Sequence, residues 1–326
     1  MGFGSVGMVM VTSFMAIAKL IVNMYFCIYK LKIRFNFKGF DLSLLKEMWV
    51  FTFFIFINQI IDQVNWSIDR FLLGRMVGTV SVAIYGVGSI LNSLYISFST
   101  AISNVFVPKV NNMVAEHNND RELTKLFTGV GRIQFLLLSL IMSGFIFFGQ
   151  AFMEIWGGKG YTSSYYVGLL LMLPGTIPLI QNLGIEIQRA KYLHKSRSIV
   201  YLVVSILNIF LSIPFIKLWG AVGAALGTAI AIILGNVIFI NWYYHKRVGL
   251  DILYFWREIF KSTPGLLIPM LVGCLEHYFL PVYRGTMLIA GIIIYTLVFC
   301  LSMWFLGMNE YEKDLLRPLI RKIQIY

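Results

Sequence analysis

Asn58, Asp62, Asn65 and Asp69 recur at steps of four, three and four inside an otherwise apolar run. On an α-helix that spacing gathers them into one longitudinal stripe. Carboxylates take up protons or hold cations, and carboxamides hydrogen-bond in both directions, so the stripe suits an ion or a polar solute. A charged side chain at mid-bilayer costs on the order of 3 kcal/mol even on the lenient insertion scale. Two acids in one span must therefore face protein or water instead of lipid. One helical step round lie Gln59, Gln63, Trp66 and Arg70, which widen the polar sector.

Asp62 and Asp69 are the candidates for a coupling proton or Na⁺; the plainer reading is a satisfied interhelical hydrogen bond. Arg70 is the leading candidate cation for a ligand, against a snorkelling or Asp69-paired structural charge near the outer interface. Asn58, Asn65 and Trp66 complete this candidate binding face. Asn65-Trp66-Ser67 has the form of a glycosylation triplet, which a position within a span argues against. Further on, Ser89, Ser93, Ser97, Thr100 and Asn104 make a second polar face, from which Ser93 and Asn104 are candidates to line the same cavity. Small hydroxyl residues also simply pack helices closely. Pro174 and Pro178 predict a kink or broken helix, the position of a gate, with Gln181, Asn182 and Glu186 just beyond. Gly223 and Gly227 form a Gly-xxx-Gly pair suited to helix packing.

The elements that must position these residues are membrane helices. The chain is 58% hydrophobic and 13% charged, far from the roughly 45–50% and 25% of a soluble domain. Apolar runs near the roughly 20 residues that cross hydrocarbon fall at about 3–28, 48–72, 80–107, 127–149, 165–187, 199–216, 219–243, 263–281 and 286–306. The expectation is an all-α integral membrane protein of about nine transmembrane helices. Continuous apolarity excludes a β-barrel, whose strands alternate.

The net charge of +12 follows topology. Lys30, Lys32, Arg34, Lys38 and Lys46 follow the first run, and Lys109, Arg121, Lys125 and Arg132 the third. Further clusters follow the fifth, seventh and ninth, ending with Lys313, Arg317, Arg321 and Lys322. This positive-inside pattern places those loops and the C-terminus in the cytoplasm and argues against nucleic acid as a partner. Cys27, Cys274 and Cys300 lack paired spacing and read as small buried apolar residues. His117, His194, His245 and His277 are dispersed, no metal site or catalytic constellation emerges, and no Gly-rich phosphate loop with Lys is present. No cofactor is expected, and an ion gradient is the expected energy source.

Laying the first run on the seventh without a gap pairs Gly4 with Gly220, Val6 with Val222, Gly7 with Gly223, Thr12 with Thr228 and Lys30 with Lys246. The two lie six runs apart with the same direction, as expected of two six-helix units. The first helix then reads as the last of an earlier unit, and the chain as a C-terminal portion of a longer transporter. That gives residues 1–40 as the last helix of an N-terminal lobe, 41–250 as a six-helix C-terminal lobe, and 251–326 as two additional transmembrane helices and a cytoplasmic tail.

Several motifs carry a family likeness. They are Lys46-Glu47 before the second run, Ile68-Asp69-Arg70-Phe71-Leu72-Leu73-Gly74 late in it, Gly78, Ala83-Ile84-Tyr85, Val107-Pro108, Gln188-Arg189-Ala190-Lys191, and Gly220-Ala221-Val222-Gly223-Ala224-Ala225. In order and spacing the chain resembles the second half of O-antigen and capsule repeat-unit flippases, from the superfamily of multidrug and toxin extruders and lipid II flippases. The resemblance implies a two-lobed MATE-like flippase fold, here with the first lobe mostly missing, that moves an undecaprenyl-diphosphate-linked oligosaccharide across the bacterial inner membrane. It implies that lipid-linked oligosaccharide and membrane lipids as partners, with a polysaccharide polymerase and a chain-length regulator beside them. It implies a transporter and no enzyme. The alternatives are a multidrug or metabolite antiporter of the same superfamily, a membrane-embedded polysaccharide polymerase or acyltransferase, and an inactive truncated remnant.

Overall fold

The structure, a computed structural model, describes residues 4–31, 42–116, 120–279 and 286–323. Every regular element among them is helical. The chain divides into two compact units, Met1–Ile57 and Asn58–Tyr326.

The first unit holds α1 (Gly4–Tyr25), prolonged by a π-helical turn over Phe26–Lys30, and the opening of α2 (Leu42–Met76). Val9, Phe14, Leu20 and Tyr25 all expose more than half their surface, on different sides of α1. A helix apolar all round suits lipid or a fully buried site.

The second unit continues with α3 (Thr79–Ala115), α4 (Asp120–Trp156), α5 (Ser163–Ile180), α6 (Leu183–Ala190) and α7 (His194–Ile232). A π-helical stretch leads from α7 into the short α8 (Ile240–Tyr243). Then come α9 (Ile252–Phe260), α10 (Pro264–Phe279), α11 (Thr286–Ser302) with a π-helical extension over Met303–Gly307, and α12 (Glu310–Ile323).

The second unit is organised around a fold-back inside α7. At about 1.5 Å per residue, the 48-residue element Tyr201–Val248 would be more than twice the roughly 30 Å of a hydrocarbon core. Gly220 breaks it, with φ 55° and ψ −126°, a backbone conformation open to glycine. Beyond the break, Gly223 lies against Phe215, Gly227 against Ser212 and Gly235 against Val204. Residues 3, 7 and 15 positions beyond Gly220 thus meet residues 5, 8 and 16 positions before it, so α7 is an antiparallel hairpin of two arms. The Gly-xxx-Gly pair supplies the close approach: a Cβ on Gly223 would stand 1.9 Å from the Phe215 carbonyl oxygen.

The buried side chains form three clusters. Leu73 of α2, Tyr85 of α3, Val167 and Leu171 of α5 and Ile216, Ala221, Ala224 and Ala225 of α7 make the one nearest the break. A larger cluster joins α3, α4, α5, α6 and α9 through residues such as Tyr95, Phe127, Leu179, Ile187 and Phe255. The third joins Phe148 of α4 to Leu288, Tyr295 and Phe299 of α11 and to Met303.

Among the described residues six helices are long and apolar enough to cross a membrane, or seven if α9 and α10, bent by 47°, count as one span. The expected nine differ for identifiable reasons. The second expected run falls on α2, whose polar stripe dilutes its hydropathy, and it is not among the six. The sixth and seventh expected runs are the two arms of the α7 hairpin and count as one element. Two further expectations are corrected. Cys274 and Cys300 are exposed and Cys27 is half-buried, because an apolar thiol on a membrane helix is as well placed facing lipid as facing core. Arg132, counted above among loop cations, lies within α4 and is 3% exposed.

Candidate functional site

Asp69 sits on the inner side of α2, 2% exposed, where α2 meets α3 and both arms of α7. A buried carboxylate costs several kcal/mol unless donors replace its water. Three hydroxyls do so. Tyr85 Oη donates to Oδ2 at 2.7 Å, Thr228 Oγ1 donates to Oδ2 at 2.6 Å, and Ser212 Oγ lies 3.2 Å from Oδ1. Asn208 completes the group: its Oδ1 is 2.9 Å from Ser212 Oγ and 3.4 Å from Thr228 Oγ1.

Each element supplies its residue for a local reason. Asn208 and Ser212, four apart on the first arm of α7, share one face. Gly227 lets the second arm approach closely enough that a Cβ there would stand 2.6 Å from Ser212 Oγ, which brings the adjacent Thr228 into reach of Asp69. The result is six oxygen atoms gathered from four chain segments: both of Asp69 and one each of Tyr85, Asn208, Ser212 and Thr228. Oxygen-only donors with one formal negative charge match one proton or one monovalent hard cation; a divalent ion would leave excess positive charge in a buried place.

Arg70, the next residue along α2, points elsewhere. It is exposed, and its Nη2 donates to Ser89 Oγ at 2.7 Å, while Ser89 Oγ in turn donates to the Gly86 carbonyl at 2.9 Å. The adjacent charges of Asp69 and Arg70 thus serve different partners. Ser93 is exposed on the same helix as Ser89, with its hydroxyl donating to the Ser89 carbonyl at 2.9 Å, and Asn104 is exposed further along. Gln63 and Ser67 of α2 are also exposed and hydrogen-bonded to each other at 3.1 Å. The side chains of Asn58, Asp62, Asn65 and Trp66 lie outside the described residues.

Pro174 and Pro178 both lie inside α5, which ends at Ile180. The break predicted for this span comes after the second proline, at Gln181 and Asn182, before α6 resumes. Gln181 Nε2 donates to Asn241 Oδ1 at 2.7 Å, which the Trp256 indole also reaches at 3.0 Å, so the broken end is fastened to α8 and α9. Two apolar grooves, of about 410 and 280 Å³, lie between α10 and α11 and between α4 and α11; neither is lined by Asp69 or Arg70. Among the described residues no group of three or more His, Cys, Asp or Glu is placed to hold a metal ion.

The sequence singled out Asp69, Arg70 and Ser89 but passed over Asn208 and Ser212. Their signal was available as two polar residues at helical spacing in an apolar run.

The family model described as Lipid II flippase MurJ matches residues 4–299. A curated relative from Staphylococcus aureus, "Capsular polysaccharide biosynthesis protein CapF", is 25% identical over 230 residues, covering 68% of this chain and 54% of the relative. Among solved structures, "Lipid II flippase MurJ, inward closed conformation" superposes with a TM-score of 0.59 at 18% identity, over 92% of this chain and 60% of that one. That likeness speaks for the fold alone. The chain spans little more than half the length of the relatives it matches.

Proposed function

We propose, from the premise that this chain belongs to the lipid II flippase MurJ family, that it carries an undecaprenyl-diphosphate-linked oligosaccharide across the bacterial inner membrane by alternating access. Proteins of this family are transporters and not enzymes, and the chain is a multi-pass membrane protein. The observation that carries the reading is Arg70: an exposed guanidinium, held by Ser89, directly after the buried acid Asp69 on the same helix. A diphosphate asks for such a cation, which can bond two phosphate oxygens at once. Ser93 and Asn104, exposed on the neighbouring helix, offer the polar surface a glycan needs.

The capsular role printed for the relative supports a polysaccharide repeat unit as cargo, and the family's description supports lipid II as the second reading. In either case Asp69 is the coupling residue, exchanging a proton or Na⁺ with the cycle, and Asp62 is assigned to the same path. The α5 break after Pro178 is assigned as a gate. Basic loops and C-terminus are assigned to the cytoplasm, and polymerase and chain-length regulator to the surrounding assembly. Residues 41–250 then form one transporting lobe, 1–40 the last helix of the other, and 251–326 the accessory pair with its tail.

Arg70→Gln keeps a polar, hydrogen-bonding side chain, though a shorter one, and removes the charge. Its transport of the lipid-linked substrate is expected to fall about tenfold or more, the loss typical of one charge-assisted contact. Ser89→Ala, which frees Arg70 without discharging it, is expected to lose only a few-fold. Translocation assays on both variants at matched membrane levels decide this; unchanged transport by Arg70→Gln removes Arg70 from the site.

A further inference from the structure

The second buried charge cluster lies apart from Asp69 and contains no residue assigned above to transport. Arg132 of α4 and Glu312 of α12 are each 3% exposed. Arg132 Nε donates to Glu312 Oε1 and Nη2 to Glu312 Oε2 at 3.0 Å, a two-point pair between residues 180 positions apart. The remaining donors serve backbone. Nη1 donates to the Glu258 carbonyl in the last turn of α9, and Nη2 to the Gly307 carbonyl at 3.1 Å, where the extension of α11 ends. The Glu258 carboxylate stands 4.0 Å from Nη1.

Both carbonyls belong to helix C-terminal ends, where acceptors exceed backbone donors and a cation is favoured by the dipole. Glu312 meanwhile closes the opposite kind of end. Its Oε2 accepts from Asn309 N–H at 2.9 Å, while Asn309 Oδ1 accepts from Glu312 N–H at 2.9 Å, a reciprocal cap on α12. One guanidinium thus caps two C-terminal ends, and its carboxylate partner caps an N-terminus.

The sequence of α12 makes the arrangement purposeful. At about 100° per residue, Tyr311, Leu315, Leu316, Leu319, Ile320 and Ile323 fall on one half of the helix and Glu310, Lys313, Asp314, Arg317 and Arg321 on the other. Glu312 falls in the middle of the apolar half, where a lone acid would be costly. Among the described side chains of α12, Glu312 alone is buried, while Tyr311 and Leu315 are exposed at 58% and 47%. On the polar half, Lys313 hydrogen-bonds Glu310 and holds that exposed carboxyl below the usual carboxylate range.

We propose that Arg132 is a positioning residue that fixes α9, the end of α11 and α12 to α4 as one latch, so that the three ends dock and release together. The proposal stands on this cluster and is independent of the cargo. It differs from an ordinary ion pair in a testable way. In a simple pair, exchanging the charges restores the contact. In the latch it does not, because a carboxylate placed on α4 would face two carbonyls and the Glu258 carboxylate, all acceptors.

The test is amide hydrogen exchange on the full chain in nanodiscs. Arg132→Gln is expected to speed exchange about tenfold or more at the α9 end, at Met303–Met308 and at the start of α12 together, with α5 unchanged. Glu312→Gln, which leaves the two carbonyl bonds standing, is expected to speed exchange at the α12 start alone. The double exchange Arg132→Glu with Glu312→Arg is expected to stay as open as Arg132→Gln. Protection restored by the double exchange overturns the proposal, as does opening confined to α12 in Arg132→Gln or spread equally into α5. Should Arg132→Gln fail to accumulate, Glu312→Gln carries the test, and wild-type exchange at the α12 start in that variant overturns it.

Discussion

Asp69→Asn is expected to abolish ion-coupled transport, lowering translocation by at least about a hundredfold, while leaving the fold intact. The variant keeps the shape of the side chain and an acceptor oxygen for Tyr85 or Thr228, so the four-segment junction survives. It loses the one negative charge among the six oxygens, and with it the means to bind a proton or a monovalent cation. A hundredfold corresponds to about 2.7 kcal/mol, within the range of about 1.5–3 kcal/mol for a single charged hydrogen bond. Asp69→Ala differs in kind. It leaves the Tyr85 and Thr228 hydroxyls without their close acceptor in a buried site, Ser212 keeping Asn208 Oδ1, and is expected to cost about 1–3 kcal/mol of stability as well. Transport measured against an imposed Na⁺ or proton gradient, with thermal unfolding of both variants, separates the two effects. Asp69→Asn transporting at wild-type rate assigns the carboxylate to helix packing alone.

Gly223→Ala is expected to destabilise the protein by about 3 kcal/mol and to remove transport with it. The added methyl meets the Phe215 carbonyl oxygen at 1.9 Å and its carbon at 2.4 Å, both backbone atoms of the facing arm, which cannot swing aside as a side chain can. The arms of α7 must separate, and Ser212 and Thr228, one on each arm, lose their common distance to Asp69. Gly129→Ala in α4 is the control. Nothing lies within 4 Å of the position its Cβ would take, so the variant is expected to gain about 0.5–1 kcal/mol from helix propensity. Denaturation midpoints for the two variants check the pair; equal stability of Gly223→Ala and wild type would contradict the fold-back of α7.

Asp69 was legible in the sequence because an acid in an apolar run must have a partner. The identity of that partner was not legible, since the acid lies on α2 and its hydroxyl donors on α3 and α7, 16 to 159 residues away. Thr228 surfaced through the internal repeat as the counterpart of Thr12. In the structure the two do different things: Thr228 reaches Asp69, whereas Thr12 donates to the Val9 carbonyl of its own helix at 2.9 Å. Arg132 was misread for a related reason. Counting charges by position assigns a cation near a helix start to a loop, and only the distant Glu312 and the two helix ends explain how it is buried. The Gly-xxx-Gly pair was correctly read as a packing device; that it folds one long element back on itself depended on Gly220, whose positive φ no residue count reveals. The prolines marked the right span, but the break falls after Pro178, where the polar Gln181 finds Asn241.

The most direct measurement is surface polysaccharide on a flippase-deleted strain carrying either the wild-type chain or Asp69→Asn at equal membrane levels. A lipid-linked oligosaccharide flippase coupled through Asp69 restores the polymer with the first and not with the second. Equal polymer from both strains, or none from the wild-type chain, would contradict it.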